Sequence, residues 1–196
     1  PYTTLFRSES VRPTDDVDVL VELYSRSAYA ALEDKLRKIG FANDTTSKFA
    51  GRFIIQGFIV DIMTTDEKIL GFSNKWYSEG FKAAINYKID EHHTVKIFSA
   101  PYFLASKIEA FKNRGNNDGR TSSDFEDIVF VLENRDAIWQ DMEDAESTVK
   151  QYLQNEFSLL LANKYIEEWV DGHVSFQSPS STNYILEQLE NFVKSA

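Results

Sequence analysis

The sequence predicts an α+β fold, strands first and helices last, and three observations carry that expectation. Short strand-like runs separated by turn residues, the first of them strictly alternating, fall in the first half of the chain. From Pro101 onward the apolar period lengthens to that of amphipathic helices. No internal repeat, coiled-coil heptad or low-complexity tract offers a competing architecture.

Taken in order, Val17–Leu23 alternates and is rich in Val and Leu, which reads as a strand. A helix is expected from Ser27 to Ile39, where Ala28, Leu32, Leu36 and Ile39 share a face and Gly40 is a natural stop. Lys48–Ile55 and Phe58–Met63 read as two strands around a tight Gln56-Gly57 turn. A short helix at Trp76–Ala83 precedes two more strands, Ala84–Ile89 and Val95–Phe98, joined by the turn Asp90–His93. Pro101 suits the first turn of a helix that runs to Arg114, and Asn113–Arg120 is a polar loop. Ser123-Asp124-Phe125-Glu126 has the form of a capping box, opening a helix with Phe125, Ile128, Val129 and Leu132 on one face. Beyond Asp136 the chain is expected to be helical, with a break near Asp171–Ser181. The organisation expected is therefore a core over residues 9–135 and a helical C-terminal region over 136–196. Residues 1–8 stand apart: Pro1-Tyr2-Thr3-Thr4-Leu5-Phe6-Arg7-Ser8 matches the in-frame translation of a sequencing adapter, so a non-native tail is expected there.

Composition narrows the functional classes. With 196 residues and 42% hydrophobic content, the chain can bury a proper core. No apolar stretch approaches the ~20 residues that span a bilayer, so no membrane partner is expected. The absence of cysteine removes disulfides and thiolate metal sites and makes a reducing cytoplasm the simplest setting. A net charge of −10 argues against a nonspecific coat on nucleic acid, which needs many cations on phosphates, but leaves room for a local basic groove.

The carboxylates carry the chemistry. Asp16 and Asp18, two apart at the mouth of an apolar strand, face the same side. They repel unless a cation or a proton intervenes, and Mg²⁺ (or Mn²⁺) bound through carboxylates and substrate phosphates resolves the conflict. Asp61 interrupts Phe58-Ile59-Val60-Asp61-Ile62-Met63, where a buried unpaired acid would lose its hydration. Set beside the first pair, it completes a group able to hold two metals, and it becomes a candidate base for the attacking oxygen. The same spacing also fits a solvated strand end, and Asp61 also fits an edge charge that discourages aggregation.

Arg12-Pro13-Thr14-Asp15-Asp16-Val17-Asp18 before a hydrophobic strand resembles the metal-binding motif of the polymerase-beta-type nucleotidyltransferase superfamily. Val60-Asp61-Ile62-Met63, the segment from Ser99 to Phe111 around Lys107, and Ser123-Asp124-Phe125-Glu126-Asp127-Ile128 resemble its bacterial AbiEii-like branch. The likeness runs from about Glu9 to Leu132. It implies a small mixed β-sheet core, with Asp16, Asp18 and Asp61 as the metal and catalytic carboxylates. It also implies Lys107 as the catalytic cation on nucleotide phosphate, and Arg12, Thr14, Lys107, Arg114, Asp124 and Asp127 as nucleotide-binding positions. Phe103, Lys107, Ala110 and Arg114 share one helix face, so the two cations can point together. Asp124 and Asp127 would orient those cations or contact the sugar, and an ordinary ion-pair network between helices fits the same pattern. The activity implied is transfer of a nucleoside monophosphate from a nucleoside triphosphate to an acceptor, with RNA, the tRNA acceptor end among the candidates, as the class. A toxin role with a separate antitoxin partner is implied as well.

One element of that family is missing: no Gly-Gly or Gly-Ser turn precedes Asp16 to cradle the triphosphate. If residues 1–8 are adapter, truncation accounts for it, and weak turnover of this chain is expected. Two rival readings remain, a metal-dependent phosphoesterase or nuclease using the same acids, and a catalytically silent nucleotide-binding module of the same fold. His92-His93 reads as a solvated turn, His173 as a loop residue, Trp76, Tyr77 and Phe72 as core, and Asp141–Glu146 as a solvated helix face. No nucleophilic Ser or Cys arrangement, P-loop or dinucleotide fingerprint is present.

Overall fold

Alternation decides the first element: in β1 (Asp16–Val21) the two acids point to one side and Val17, Val19 and Val21 to the other. The computed structural model describes residues 16–116, 118–174 and 181–195. These form two compact units that meet in sequence between Lys82 and Ala83. The fold is α+β, with one four-stranded mixed sheet, one two-stranded sheet and nine helices among the described residues.

In the first unit β1 is followed by α1 (Arg26–Lys38), which opens on Ser25, whose side chain accepts the Ala28 N–H. Then come β2 (Ala42–Asn43), β3 (Arg52–Ile55), β4 (Phe58–Thr64), α2 (Glu67–Leu70) and α3 (Tyr77–Lys82). The sheet order is β1-β4-β3-β2, with β1 parallel to β4 and the other neighbours antiparallel. β3 begins four residues later than the strand expected over Lys48–Ile55. Local turn chemistry wins there: the Asp44 carboxylate accepts from the Thr46 N–H and hydroxyl, and Ser47 Oγ accepts the Phe49 N–H. The β3–β4 turn is as expected, with Gln56 at φ 52° and Gly57 at φ 86°, the left-handed pair that a two-residue hairpin requires.

One face of this sheet is the core. Phe53 and Ile62 pack with Tyr29 of α1 and Ile69 of α2, flanked by Val21, Leu32, Leu36 and Val60. Because side chains alternate, the residues between these positions, Arg52 and Asp61, lie on the opposite face.

The second unit starts with the hairpin β5 (Ile85–Lys88) and β6 (Thr94–Ile97). It continues through α4 (Ala100–Arg114), with Pro101 in the first turn, and α5 (Ser123–Asn134). The N-cap of α5 is Ser122, whose Oγ accepts the Phe125 N–H at 3.3 Å, one residue earlier than the capping box predicts. The register shift leaves Phe125 buried beneath the first turn, packed against Phe111 at 5.3 Å. The remaining helices are α6 (Ile138–Glu143), α7 (Ser147–Leu161), α8 (Ile166–Asp171) and α9 (Ser181–Lys194). Trp169 stacks edge-on against Phe111 and Phe125, while Phe157 of α7 meets Phe192 of α9. None of the described helices is long and apolar enough to cross a membrane.

Candidate functional site

Strand register assembles the acids. Asp18 lies directly opposite Asp61 across the parallel β1–β4 pair, and Asp16 is two residues along the same face. The register then adds a residue that spacing did not single out, because Arg52 of β3 is the direct antiparallel neighbour of Asp61. The Arg52 guanidinium donates to both oxygens of Asp61, Nε at 2.7 Å and Nη2 at 2.6 Å, and reaches Asp16 at 3.5 Å. This is the bidentate fork that suits a carboxylate best. Its hydrogen bonds to Asp61 hold the guanidinium charged well above its already high ordinary value, against the opposing effect of burial.

Burial grades the three acids. Asp61 is only 8% exposed, whereas Asp16 and Asp18 are open to solvent. An unpaired charge at the Asp61 position would be costly, and Arg52 removes that cost. Three carboxylates on one sheet face are hard oxygen donors of the kind Mg²⁺ takes, so the chemistry of the donor set fits such a cation. As the side chains stand in this structure, no three or more His, Asp or Glu of the described residues are gathered around a common metal position. In this arrangement Asp61 directs both its oxygens to Arg52.

The second set of expected residues comes together on α4 and α5. Asp124 is 2% exposed at the start of α5 and accepts a bidentate pair from Arg114, at 2.7 Å each. Lys107, one helical face-repeat earlier on α4, binds Asp127 at 2.5 Å and stands 3.6 Å from Asp124. Its ammonium also lies 5.6 Å from the centre of the Phe103 ring. The two acids therefore orient the two cations, and the network joins the helices. Arg114 and Asp124 border a shallow cleft of about 170 Å³ whose other walls include Asn116, Thr121 and Ser123. Arg12 and Thr14, the remaining expected nucleotide-binding positions, lie outside the described residues.

The set-aside residues have structural roles. Asp90 accepts the backbone N–H groups of His92 and His93 at 2.8 Å and contacts the His93 ring, a solvated turn as expected. His173 Nε2 meets the Gly119 carbonyl at 2.6 Å, and its ring rests on Phe125. Trp76 is buried, but Phe72 is 47% exposed and touches Tyr77 edge-on, so it is not core. Asp141–Glu146 is not one solvated face. It spans the α6–α7 junction, where Asp141 holds Arg135, Glu143 holds Lys150, and Glu146 caps α7 through the Thr148 N–H.

No family model matches this chain. No curated protein matches it either.

Proposed function

We propose that this chain is the core of a metal-dependent nucleotidyltransferase, moving a nucleoside monophosphate from a nucleoside triphosphate to an acceptor. The observation that carries the reading is the register that sets Asp18 against Asp61 with Asp16 on the same sheet face. Asp16, Asp18 and Asp61 would hold Mg²⁺ or Mn²⁺, which supplies charge stabilisation for an in-line displacement at phosphorus. Asp61, the most buried of the three, would take the proton from the attacking hydroxyl. Lys107 would offset phosphate charge, with Arg114 beside it, and Asp124 and Asp127 would hold both cations ready. The acceptor proposed is RNA, tRNA included, and the cellular role proposed is a cytoplasmic bacterial toxin restrained by an antitoxin protein. Growth arrest on expression, relieved by Asp18→Ala, supports that role; unaffected growth counts against it.

Calorimetric titration with each nucleoside triphosphate and Mg²⁺, beside the Asp16→Ala/Asp18→Ala double variant, tests the acid face. Metal-dependent binding that disappears in the double variant is the expected result. Binding that persists unchanged in that variant would remove the acids from the site. Product analysis separates the neighbouring activity: transfer releases pyrophosphate and labels the acceptor, whereas a phosphoesterase leaves the acceptor unlabelled.

A second reading has its own observation. Arg52 neutralises Asp61 without a metal, which favours a nucleotide-binding module that has no catalytic step. Nucleotide binding without pyrophosphate release, in the presence of Mg²⁺ and an RNA acceptor, would select it.

A further inference from the structure

The acid face already contains a cation. Arg52 spends two donors on Asp61 and directs the Nη2 group toward Asp16 as well, so one guanidinium bridges two of the three carboxylates that the proposed function assigns to a divalent cation. A divalent cation and a guanidinium compete for the same lone pairs, because an oxygen that accepts a short charge-assisted hydrogen bond is poorly placed to coordinate an ion on that side. The geometry also gives Arg52 somewhere to go. Its side chain is 28% exposed, against 12% for Asp61, so it borders solvent and can leave without opening the core. The core lies on the other face of the sheet, under Phe53 and Ile62.

We propose that Arg52 is a resident counter-cation that competes with the divalent cation for Asp61 and Asp16 and so sets how tightly the acid face takes up metal. This inference rests on the metal-binding reading given above and deepens it. Metal entry exchanges one ionic partner for another: the guanidinium releases Asp61 and keeps its proton and charge, no covalent bond changes, and the doubly charged ion replaces a singly charged group. The exchange also explains how a nearly buried carboxylate is tolerated before metal arrives, since Arg52 prevents an uncompensated charge at Asp61. Arg52 is in this sense a positioning residue that acts through the carboxylates.

The test is a Mn²⁺ titration of the full chain followed by electron paramagnetic resonance of the free ion. Wild type is compared with Arg52→Met, Arg52→Lys and Asp18→Asn, each checked for native far-ultraviolet circular dichroism. Arg52→Met removes the competitor and is expected to bind Mn²⁺ about tenfold more tightly than wild type, the scale of a lost charged hydrogen-bond pair. Arg52→Lys retains a charge but not the fork and should fall between them. Asp18→Asn should abolish the binding in every background. Equal or weaker binding in both Arg52 variants, with Asp18-dependent binding intact in wild type, overturns the competition and leaves the metal reading standing. No Asp18-dependent binding in any variant overturns the metal reading and the competition with it. Should Arg52→Met fail to fold, Arg52→Lys alone decides, because it conserves the charge that Asp61 needs.

Discussion

Tyr29 is 7% exposed in the core beneath β3 and β4, and its hydroxyl has no hydrogen-bond partner. Burial first, and the nearby Glu33 charge second, push its ionisation from 10.0 up to about 12. The neutral form is therefore favoured in the folded state, and this contribution is complete below pH 10 and lost as pH rises from 10 towards 12. Tyr29→Phe removes both the unsatisfied hydroxyl and the alkaline liability. It should raise stability by about 1 kcal/mol at neutral pH and flatten the loss above pH 10. Urea unfolding of both proteins at neutral and alkaline pH reads this, and a less stable Phe variant would show that the hydroxyl is satisfied after all. Asp124 makes the opposite case. It is buried and holds Arg114 by two bonds, but the Arg114 side chain is 67% exposed and can return to water. Asp124→Ala should therefore cost about 2 kcal/mol, below the full cost of stranding a buried charge. A loss no larger than that of Arg120→Gln, whose Glu168 partner is exposed, would mean that the α4–α5 network carries no stability of its own.

Between residues and the whole stand the strands, and there Gly51 governs how Arg52 meets Asp61. The Gly51 carbonyl accepts the Ile62 N–H at 2.8 Å, and a Cβ at residue 51 would stand 2.3 Å from the Ile62 carbonyl oxygen and 2.6 Å from the Phe49 ring. A backbone oxygen at that distance cannot yield, so Gly51→Ala must lift the start of β3 off β4. A cost of about 2–3 kcal/mol is expected, against about 1 kcal/mol for Gly57→Ala, where the penalty is the positive φ alone. Similar losses for the two variants would contradict this packing. The same strands show what a sequence can and cannot disclose. β1 is legible from alternation, where apolar and polar residues exchange faces at every step, β4 from an apolar run broken only by Asp61, and the Gln56-Gly57 turn from glycine's φ freedom. Counting outward from that turn pairs Ile55 with Phe58, Ile54 with Ile59, Phe53 with Val60 and Arg52 with Asp61. Arg52 is thus legible from the turn, although carboxylate spacing alone does not point to it. The cost of a lone buried acid is enough to set Asp61 beside Asp16 and Asp18, but not to say that Asp18 is its direct neighbour, since a parallel register is set by packing across a long connection and leaves no local signal. β2 and α2, two and four residues long, are too short for any period to reveal. At α5, Ser122 and Ser123 are equally good caps by type, and the burial of Phe125 selects the first.

For the molecule as a whole, a net charge of −10 and a set of acid-dependent contacts pull stability in opposite directions as pH falls. Protonation relieves self-repulsion, which favours the folded state, but at physiological salt the screening length is about 8 Å and repulsion between distant exposed charges is already weak. The opposing effect is local and less screened. Glu143 lies below its ordinary 4.5 because Lys150 hydrogen-bonds to it and Ser195 adds a second bond, with burial working the other way. Through those contacts it links α6 to the start of α7 and to the end of α9. Asp44, Asp90, Glu146 and Glu168 are lowered as well, each chiefly by a hydrogen bond that the folded chain supplies. A carboxylate lowered on folding contributes stability that is present above its unfolded value and lost as pH falls through its folded value. Stability should therefore hold from neutral pH to about 5 and then decline steadily towards pH 3, despite the relief of net charge. Glu143→Gln should be less stable at pH 7 and lose less between pH 5 and 3, because one of the titrating contacts is already gone. Urea unfolding at fixed salt across that range measures both proteins. Parallel decline of the two would locate the acid sensitivity in the turn and cap carboxylates, whereas a rise in stability on acidification would mean that self-repulsion, and not local contact, dominates this chain.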